Sequence, residues 1–216
     1  MADIYDSEEE QLDALRRWWK ENGLTVIVGL VVGLGGVFGW TAWQGYQQDQ
    51  QEGASALYQR QANATASRDF PTADKAASEL MEQYPSSGYA GLSALVMAKS
   101  AFEQGRTADA KRHLQGLMGS TGRLELKLTA RLRLARIMLS EDEHDGALAL
   151  LNADDLGTFE PAFDELRGDV FVAASDVAKA KQAYEEALNA TDDPSADRRR
   201  VQLKLNDLGH TNITTD

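Results

Sequence analysis

Three histidines, His113, His144 and His210, are the candidates in this chain for acid–base work near neutral pH or for nitrogen ligation of a metal. No two of them stand in an H-x-x-x-H or H-E-x-x-H relation. His113 falls among Lys111, Arg112 and Gln115, on what reads as a solvated helix face. His144 lies in an acidic turn with Glu143 and Asp145. A metal needs two to four converging groups, so both read as water-exposed side chains. Glu141-Asp-Glu143 and Asp154-Asp155 look like pieces of a calcium loop but lack its D-x-[DN]-x-[DN]-G-x5-E spacing, and they read as caps and loops. Arg198-Arg199-Arg200 reads as a solvated helical turn. Asn63-Ala-Thr65, Asn189-Ala-Thr191 and Asn212-Ile-Thr214 match glycosylation acceptors, which matter only in a eukaryotic secretory pathway. There is no phosphate-binding loop, no G-x-S-x-G and no catalytic-triad spacing. With no cysteine, thiol nucleophiles, disulfides and cysteine metal sites are excluded. The residues point to no enzyme and no cofactor.

Charge narrows the binding classes. The 216 residues carry a formal net charge of −12, and residues 51–216 hold 19 Lys and Arg against 26 Asp and Glu. An acidic domain lacks the field that draws phosphate backbones, so nucleic acid is not the expected partner.

The element that must position everything else is the run Leu24–Trp43. No Asp, Glu, Lys, Arg or His lies between Glu21 and Asp49. Twenty helical residues span about 30 Å, the thickness of a bilayer's hydrocarbon core. Ten residues of the run are Leu, Val, Ile or Phe. At about −0.3 to −0.6 kcal/mol each they favour insertion, against which the glycines work. Arg16, Arg17 and Lys20 precede the run, and no Lys or Arg follows it until Arg60. Positive flanks stay in the cytoplasm and acids count for little, so the early carboxylates do not reverse the orientation. The expected layout is a cytoplasmic tail over 1–23, a transmembrane helix over 24–43 and an exported domain over 44–216. A cleaved signal peptide would have a shorter apolar stretch and a small-residue cleavage site; here bulky indoles close the run. Trp18 and Trp19 on one side, and Trp40 and Trp43 on the other, read as interfacial anchors. Leu12, Leu15 and Trp19 are spaced as a short amphipathic helix lying along the cytoplasmic face. Gly29 and Gly33, and again Gly35 and Gly39, stand four apart, a spacing that lets two helix backbones approach closely.

Beyond the span the chain reads as all-helical. Its prolines (Pro71, Pro85, Pro161, Pro194) sit at expected helix edges, and alternating Val, Ile, Thr and aromatic runs are absent. Four segments repeat a small residue, Ala76, Ala110, Ala147 and Ala180, followed four positions later by a large one, Leu80, Leu114, Leu151 and Tyr184. The alanines stand 34, 37 and 33 residues apart. A period near 34 with helix–turn–helix character is the signature of tetratricopeptide repeats. The last copy fits best, with Gly168, Phe171, Ala180, Tyr184 and Ala187 in the alternating small and aromatic positions. Small residues let the two helices nest while an aromatic fills the groove. The Trp and the Leu-Gly pair of a strong repeat are missing, and the first two copies lack the aromatics.

The spacing predicts helices over about 45–67, 72–83, 87–104, 107–118, 123–140, 144–152, 160–174, 177–189 and 195–208, with boundaries good to ±2–4 residues. The last would cap the stack with a polar outer face and stop at Gly209, leaving 210–216 frayed. The expected fold is therefore one transmembrane helix and a tetratricopeptide-like α-solenoid of about four hairpins plus a capping helix.

The N-terminal part carries the most specific likeness. Ile4-Tyr5 opens an acidic stretch, Glu8-Glu-Glu-Gln-Leu-Asp-Ala-Leu-Arg-Arg-Trp-Trp-Lys-Glu-Asn-Gly23 leads into the span, and Gly39-Trp40 and Trp43 close it. This resembles the bacterial YfgM family, ancillary subunits of the SecYEG translocon, over almost the whole chain. The resemblance implies a single-pass inner-membrane protein with a periplasmic domain. It implies partnership with SecYEG and with PpiD, a membrane-anchored periplasmic chaperone, and help in handing exported client polypeptides to periplasmic chaperones. It carries over no catalytic residue. Independently, a repeat stack offers an extended surface suited to protein segments. The competing reading is a periplasmic assembly scaffold for cell-envelope or division machinery, by fold analogy.

Overall fold

The computed structural model describes residues 3–190 and 196–211. Among the described residues nine α-helices follow in order: α1 (Asp3–Ala66), α2 (Phe70–Gln83), α3 (Gly88–Glu103), α4 (Thr107–Ser120), α5 (Leu124–Ser140), α6 (His144–Leu151), α7 (Glu160–Ala173), α8 (Val177–Asn189) and α9 (Ala196–Thr211), with a 3₁₀ turn at Gly157–Phe159. No strand occurs among the described residues. The chain forms two compact units, one ending at Gly53 and one beginning at Ala54.

In the first unit the amphipathic segment and the apolar run belong to a single helix, α1, and the former is not a separate short helix preceding the span. No proline precedes Pro71, so nothing removes a backbone donor along that stretch. Glycine alone does not stop a helix, and here the Trp19 indole lies over Gly23, 3.3 Å from where a Cβ would sit. The polar atoms of the segment turn back on their own backbone: Asn22 donates to the Trp18 carbonyl at 3.0 Å, and the Thr41 hydroxyl to that of Phe38 at 3.0 Å. A helix in hydrocarbon must satisfy its polar groups internally in this way. Its apolar side chains are exposed throughout, Leu24 at 77% and Phe38 at 70%. The stretch is long and apolar enough to cross a membrane.

The second unit is a row of helical hairpins closed by a recurring turn. After α1, α3, α5 and α7 the backbone enters the left-handed region once, at Arg68, Gly105, Asp142 and Ser175. The next residue's N–H then reaches back five positions: Asp69 to Ala64, Arg106 to Ala101, Glu143 to Met138 and Asp176 to Phe171, at 2.8–2.9 Å. This closes the orphan carbonyls of each helix end. The residue that donates becomes the N-cap of the following helix, and its carbonyl accepts from a buried alanine: Ala73, Ala110, Ala147 and Ala180. These turns stand 37, 37 and 33 residues apart.

That geometry shifts the first repeat. Its register residue is Ala73, three positions before Ala76, so the 34-residue first interval becomes 37. Ala76 is fully buried, yet it is not the equivalent of Ala110. The first copy then has Ala77 where the others have Leu114, Leu151 and Tyr184, and Leu80 falls in register with Leu117. An alanine-rich helix offers several small residues, and spacing alone does not choose among them.

The core runs on from hairpin to hairpin. Ala94, Leu95 and Ala98 of α3 pack with Ala110, Leu114 and Leu117 of α4 and with Ala130, Leu134 and Ile137 of α5. The other face of α5 supplies Leu128, Leu132 and Ala135 to a cluster with Ala147, Leu151, Phe163, Leu166 and Val170. One helix serving two neighbours is what a solenoid requires. Each large side chain so buried contributes about 1.5–3 kcal/mol.

Candidate protein-binding surface

Close approach explains the last hairpin. A Cβ on Gly168 would overlap the Tyr184 ring, so only glycine lets α7 and α8 meet there. Tyr184 and Ala187 are 2% exposed, and Ala180 not at all. The Tyr184 hydroxyl donates to Asp169 Oδ1 at 2.8 Å; burial and that carboxylate push its pKa up. Phe171 is half-buried, with the Lys179 ammonium 5.5 Å from its ring centre.

The cap is polar at its seam. Glu165 of α7 is 8% exposed and accepts from Arg200 Nε at 2.7 Å, Arg200 Nη2 at 2.5 Å and Lys204 Nζ at 2.7 Å. Lys204 also reaches Asp169 at 2.7 Å, and Arg198 donates to the Leu188 carbonyl at 2.5 Å. Burial alone would raise the Glu165 pKa; the hydrogen bonds from Arg200 and Lys204 outweigh it and hold the carboxyl below its usual range. Beside it, burial raises the Asp164 pKa despite the Arg167 pair. The arginine run is therefore not simply solvated: Arg198 and Arg200 dock α9, and only Arg199 of the three is not drawn into this seam. Apolar packing adds Val201, with Leu205 and Leu208 beside it. The helix continues through Gly209 to Thr211, because a lone glycine with solvent around it does not end a helix. Ser195, Thr191, Asn212–Thr214 and the rest of the 212–216 tail lie outside the described residues, as does the side chain of His210.

The other chemistry-bearing side chains also have structural tasks. Lys111 of α4 pairs with Glu141, and with Glu143 at 2.8 Å, tying one hairpin to the turn of the next. The hydrogen bonds that its ammonium donates to Glu141 and then to Glu143 raise its pKa. His144 is half-buried, its Nε2 3.9 Å from Asp142 Oδ1 and without a hydrogen-bond partner among the described residues. His113 is half-buried rather than solvated, and burial lowers its pKa. It lines a groove of about 530 Å³ with Arg112, Arg123, Gly91 and Leu126. No group of three or more His, Asp or Glu able to hold a metal occurs among the described residues.

A second groove, about 320 Å³, lies between the first helices of two successive hairpins. Ala98, Lys99 and Phe102 of α3 face Arg133, Arg136 and Ile137 of α5 across it, above Leu114 of α4. Its floor is apolar, and Lys99, Arg133 and Arg136 add positive charge to its lining. In the first unit, the Trp18 and Trp19 rings lie 6.4 Å apart and those of Trp40 and Trp43 5.1 Å apart, all half exposed or more. Gly29, Gly33, Gly35 and Gly39 have nothing within 4 Å of their Cβ positions.

Residues 16–210 match the tetratricopeptide repeat-like domain family. A Haemophilus influenzae protein named ancillary SecYEG translocon subunit is 34% identical over 203 residues, covering 93% of this chain and 97% of that one. This chain belongs to that family. The protein of the same name from Escherichia coli is 28% identical over 209 residues, covering 95% of this chain and 98% of that one. Among solved structures, a tetratricopeptide repeat protein from Parabacteroides merdae superposes with a TM-score of 0.57 at 14% identity. The match covers 74% of this chain and 61% of that protein, and it supports the fold alone. For a member of the ancillary translocon subunit family, the α9 seam and the cationic groove are features that composition and periodicity did not reveal. Their signals were present: a Glu-x-x-x-Asp pair on α7 faces Arg200 and Lys204, themselves four apart, and α5 is rich in arginine.

Proposed function

We propose that this chain is a membrane-anchored ancillary subunit of the Sec translocon, acting as a protein-binding adaptor and not as an enzyme. The observation that carries this reading is end-to-end similarity, membrane helix and repeat domain together, to proteins named for that role. The tail, span and repeat domain divide at 1–23, 24–43 and 44–216. The flanking cations Arg16, Arg17 and Lys20 hold the tail in the cytoplasm and send the repeats into the periplasm of the inner membrane. There the domain links exported polypeptides to periplasmic chaperones, PpiD foremost. Tethering beside the translocon raises the effective concentration of both partners toward roughly millimolar, so each contact can be weak. Trp18, Trp19, Trp40 and Trp43 fix the depth of the span, and Gly29, Gly33, Gly35 and Gly39 present its packing face.

Crosslinking at native expression, followed by detergent solubilisation and affinity purification, tests this. SecY and PpiD are expected with the full chain. Recovery of neither rejects the reading.

A further inference from the structure

Helix α5 is cationic in an acidic chain. It carries Lys127, Arg131, Arg133 and Arg136 against Glu125 alone. Among the described residues none of those four cations forms an ion pair, whereas Lys99, Lys111, Arg112, Lys179 and Arg200 all do. Two of the unpaired groups stand at the recess between α3 and α5. Arg133 is half-buried and spends one N–H on the Leu95 carbonyl at 3.2 Å. Arg136 is exposed and has no hydrogen-bond or ion-pair partner among the described residues. Burial, and then the like charge of Arg136, lower the Arg133 pKa. An arrangement that costs free energy in the isolated chain is relieved by an anion. Beside the guanidiniums Phe102 is 43% exposed over Ala98, Leu114 and Ile137, so an apolar floor adjoins the charge. The Lys99 ammonium at the rim is already engaged with Glu103 at 3.6 Å.

We propose that this recess binds an acidic segment of another polypeptide: one bulky apolar side chain enters between Phe102 and Ile137, and flanking carboxylates pair with Arg133 and Arg136. A recess of about 320 Å³ admits a large side chain. A guanidinium grips a carboxylate through two parallel N–H bonds, which gives direction as well as attraction. The inference rests on the protein-binding reading but not on translocon association.

The test uses the full chain in dodecyl maltoside micelles and a short fluorescein-labelled peptide with one leucine flanked by Asp and Glu, followed by fluorescence anisotropy. The comparison peptides replace the acids by their amides, or the leucine by serine. The acidic peptide is expected to bind roughly tenfold tighter than the amide form, with an affinity that falls as salt rises. Arg136→Gln and Arg136→Glu, at an exposed position that leaves the circular dichroism melt unchanged, should weaken it stepwise, and Phe102→Ser should remove the leucine preference. Arg199→Glu on α9, with the same net-charge change as Arg136→Glu, should bind like the parent. Equal binding of acidic and amide peptides overturns the proposal, as does equal loss with Arg199→Glu, or indifference to both Arg136 variants. Nanodiscs containing phosphatidylglycerol that abolish the peptide preference would also overturn it, by assigning the guanidiniums to lipid. None of these outcomes bears on recovery of SecY, so the two readings fail separately.

Discussion

The span of α1 and the hairpins of the second unit are built from the same kinds of residue and treat them in opposite ways. Leu, Val and Phe of the span are exposed along the whole helix, while Leu114, Leu134, Leu151 and Phe163 are almost wholly enclosed. The glycines differ likewise. Those of the span meet nothing within 4 Å, whereas a Cβ on Gly168 would collide with Tyr184 and one on Gly91 with Leu126. Apolar side chains are hidden from water in both cases, by neighbouring helices in one and by lipid in the other. The first kind of burial is recorded in interhelical contacts; the second is recorded only in hydropathy.

Substitutions should therefore separate the two regions. The largest effect is expected from Phe163→Ala, which empties the middle of the second core cluster. It should cost about 3–5 kcal/mol, read by thermal or urea unfolding, while Leu30→Ala leaves the same transition unmoved. Leu30→Arg should reverse that pattern: about 2.5–3.5 kcal/mol against insertion, seen as loss of the chain from carbonate-washed membranes. Gly168→Val drives side-chain carbon into the Tyr184 ring and should destabilise the unit by about 1–3 kcal/mol.

Glu165→Gln keeps the shape of the α9 seam and removes its buried charge. Because Arg200 is half exposed, the loss is discounted to about 1 kcal/mol at neutral pH. The sign with pH follows from the depressed Glu165 pKa. Its stabilisation is complete above the ordinary glutamate range and disappears as pH falls through the folded value. Parent and variant melting curves should converge in acid. Asp164, shifted upward, has the opposite dependence but is common to both proteins, so their difference isolates Glu165. The smallest effect on the repeat unit is expected from Gly33→Leu: no change in its melting, with any consequence confined to co-purification of a membrane partner.

Periodicity made most of this fold legible. The hairpin helices are marked by prolines at their edges, by the acidic turn at Glu141–Asp145, or by alanine four residues before a large side chain. What escaped is instructive. The turns at Arg68, Asp142 and Ser175 fall between the expected helices, but their left-handed residue is not a glycine, so composition does not mark which residue takes the positive φ. The first repeat's register slipped to Ala76 because Ala73, Ala76 and Ala77 are all small and all buried. Arg198 and Arg200 read as solvated because their partners lie on another helix, Glu165 being 35 residues from Arg200. Long-range ion pairs leave no local spacing to detect. The recess between α3 and α5 was invisible for the same reason, since it takes two hairpins to form.

The chain has no cysteine, so single substitutions can report position without background. The central claim is a lipid-embedded helix carrying a helical array out of the cytosol, and maleimide accessibility in cells tests it most directly. With Asp13→Cys, Leu30→Cys and Ser78→Cys in separate chains, a membrane-impermeant maleimide applied after the outer membrane is opened should label Ser78→Cys. Leu30→Cys should stay unlabelled, and Asp13→Cys should react only once the inner membrane is breached. Labelling of Leu30→Cys as fast as Ser78→Cys, or of Asp13→Cys before Ser78→Cys, would contradict the account.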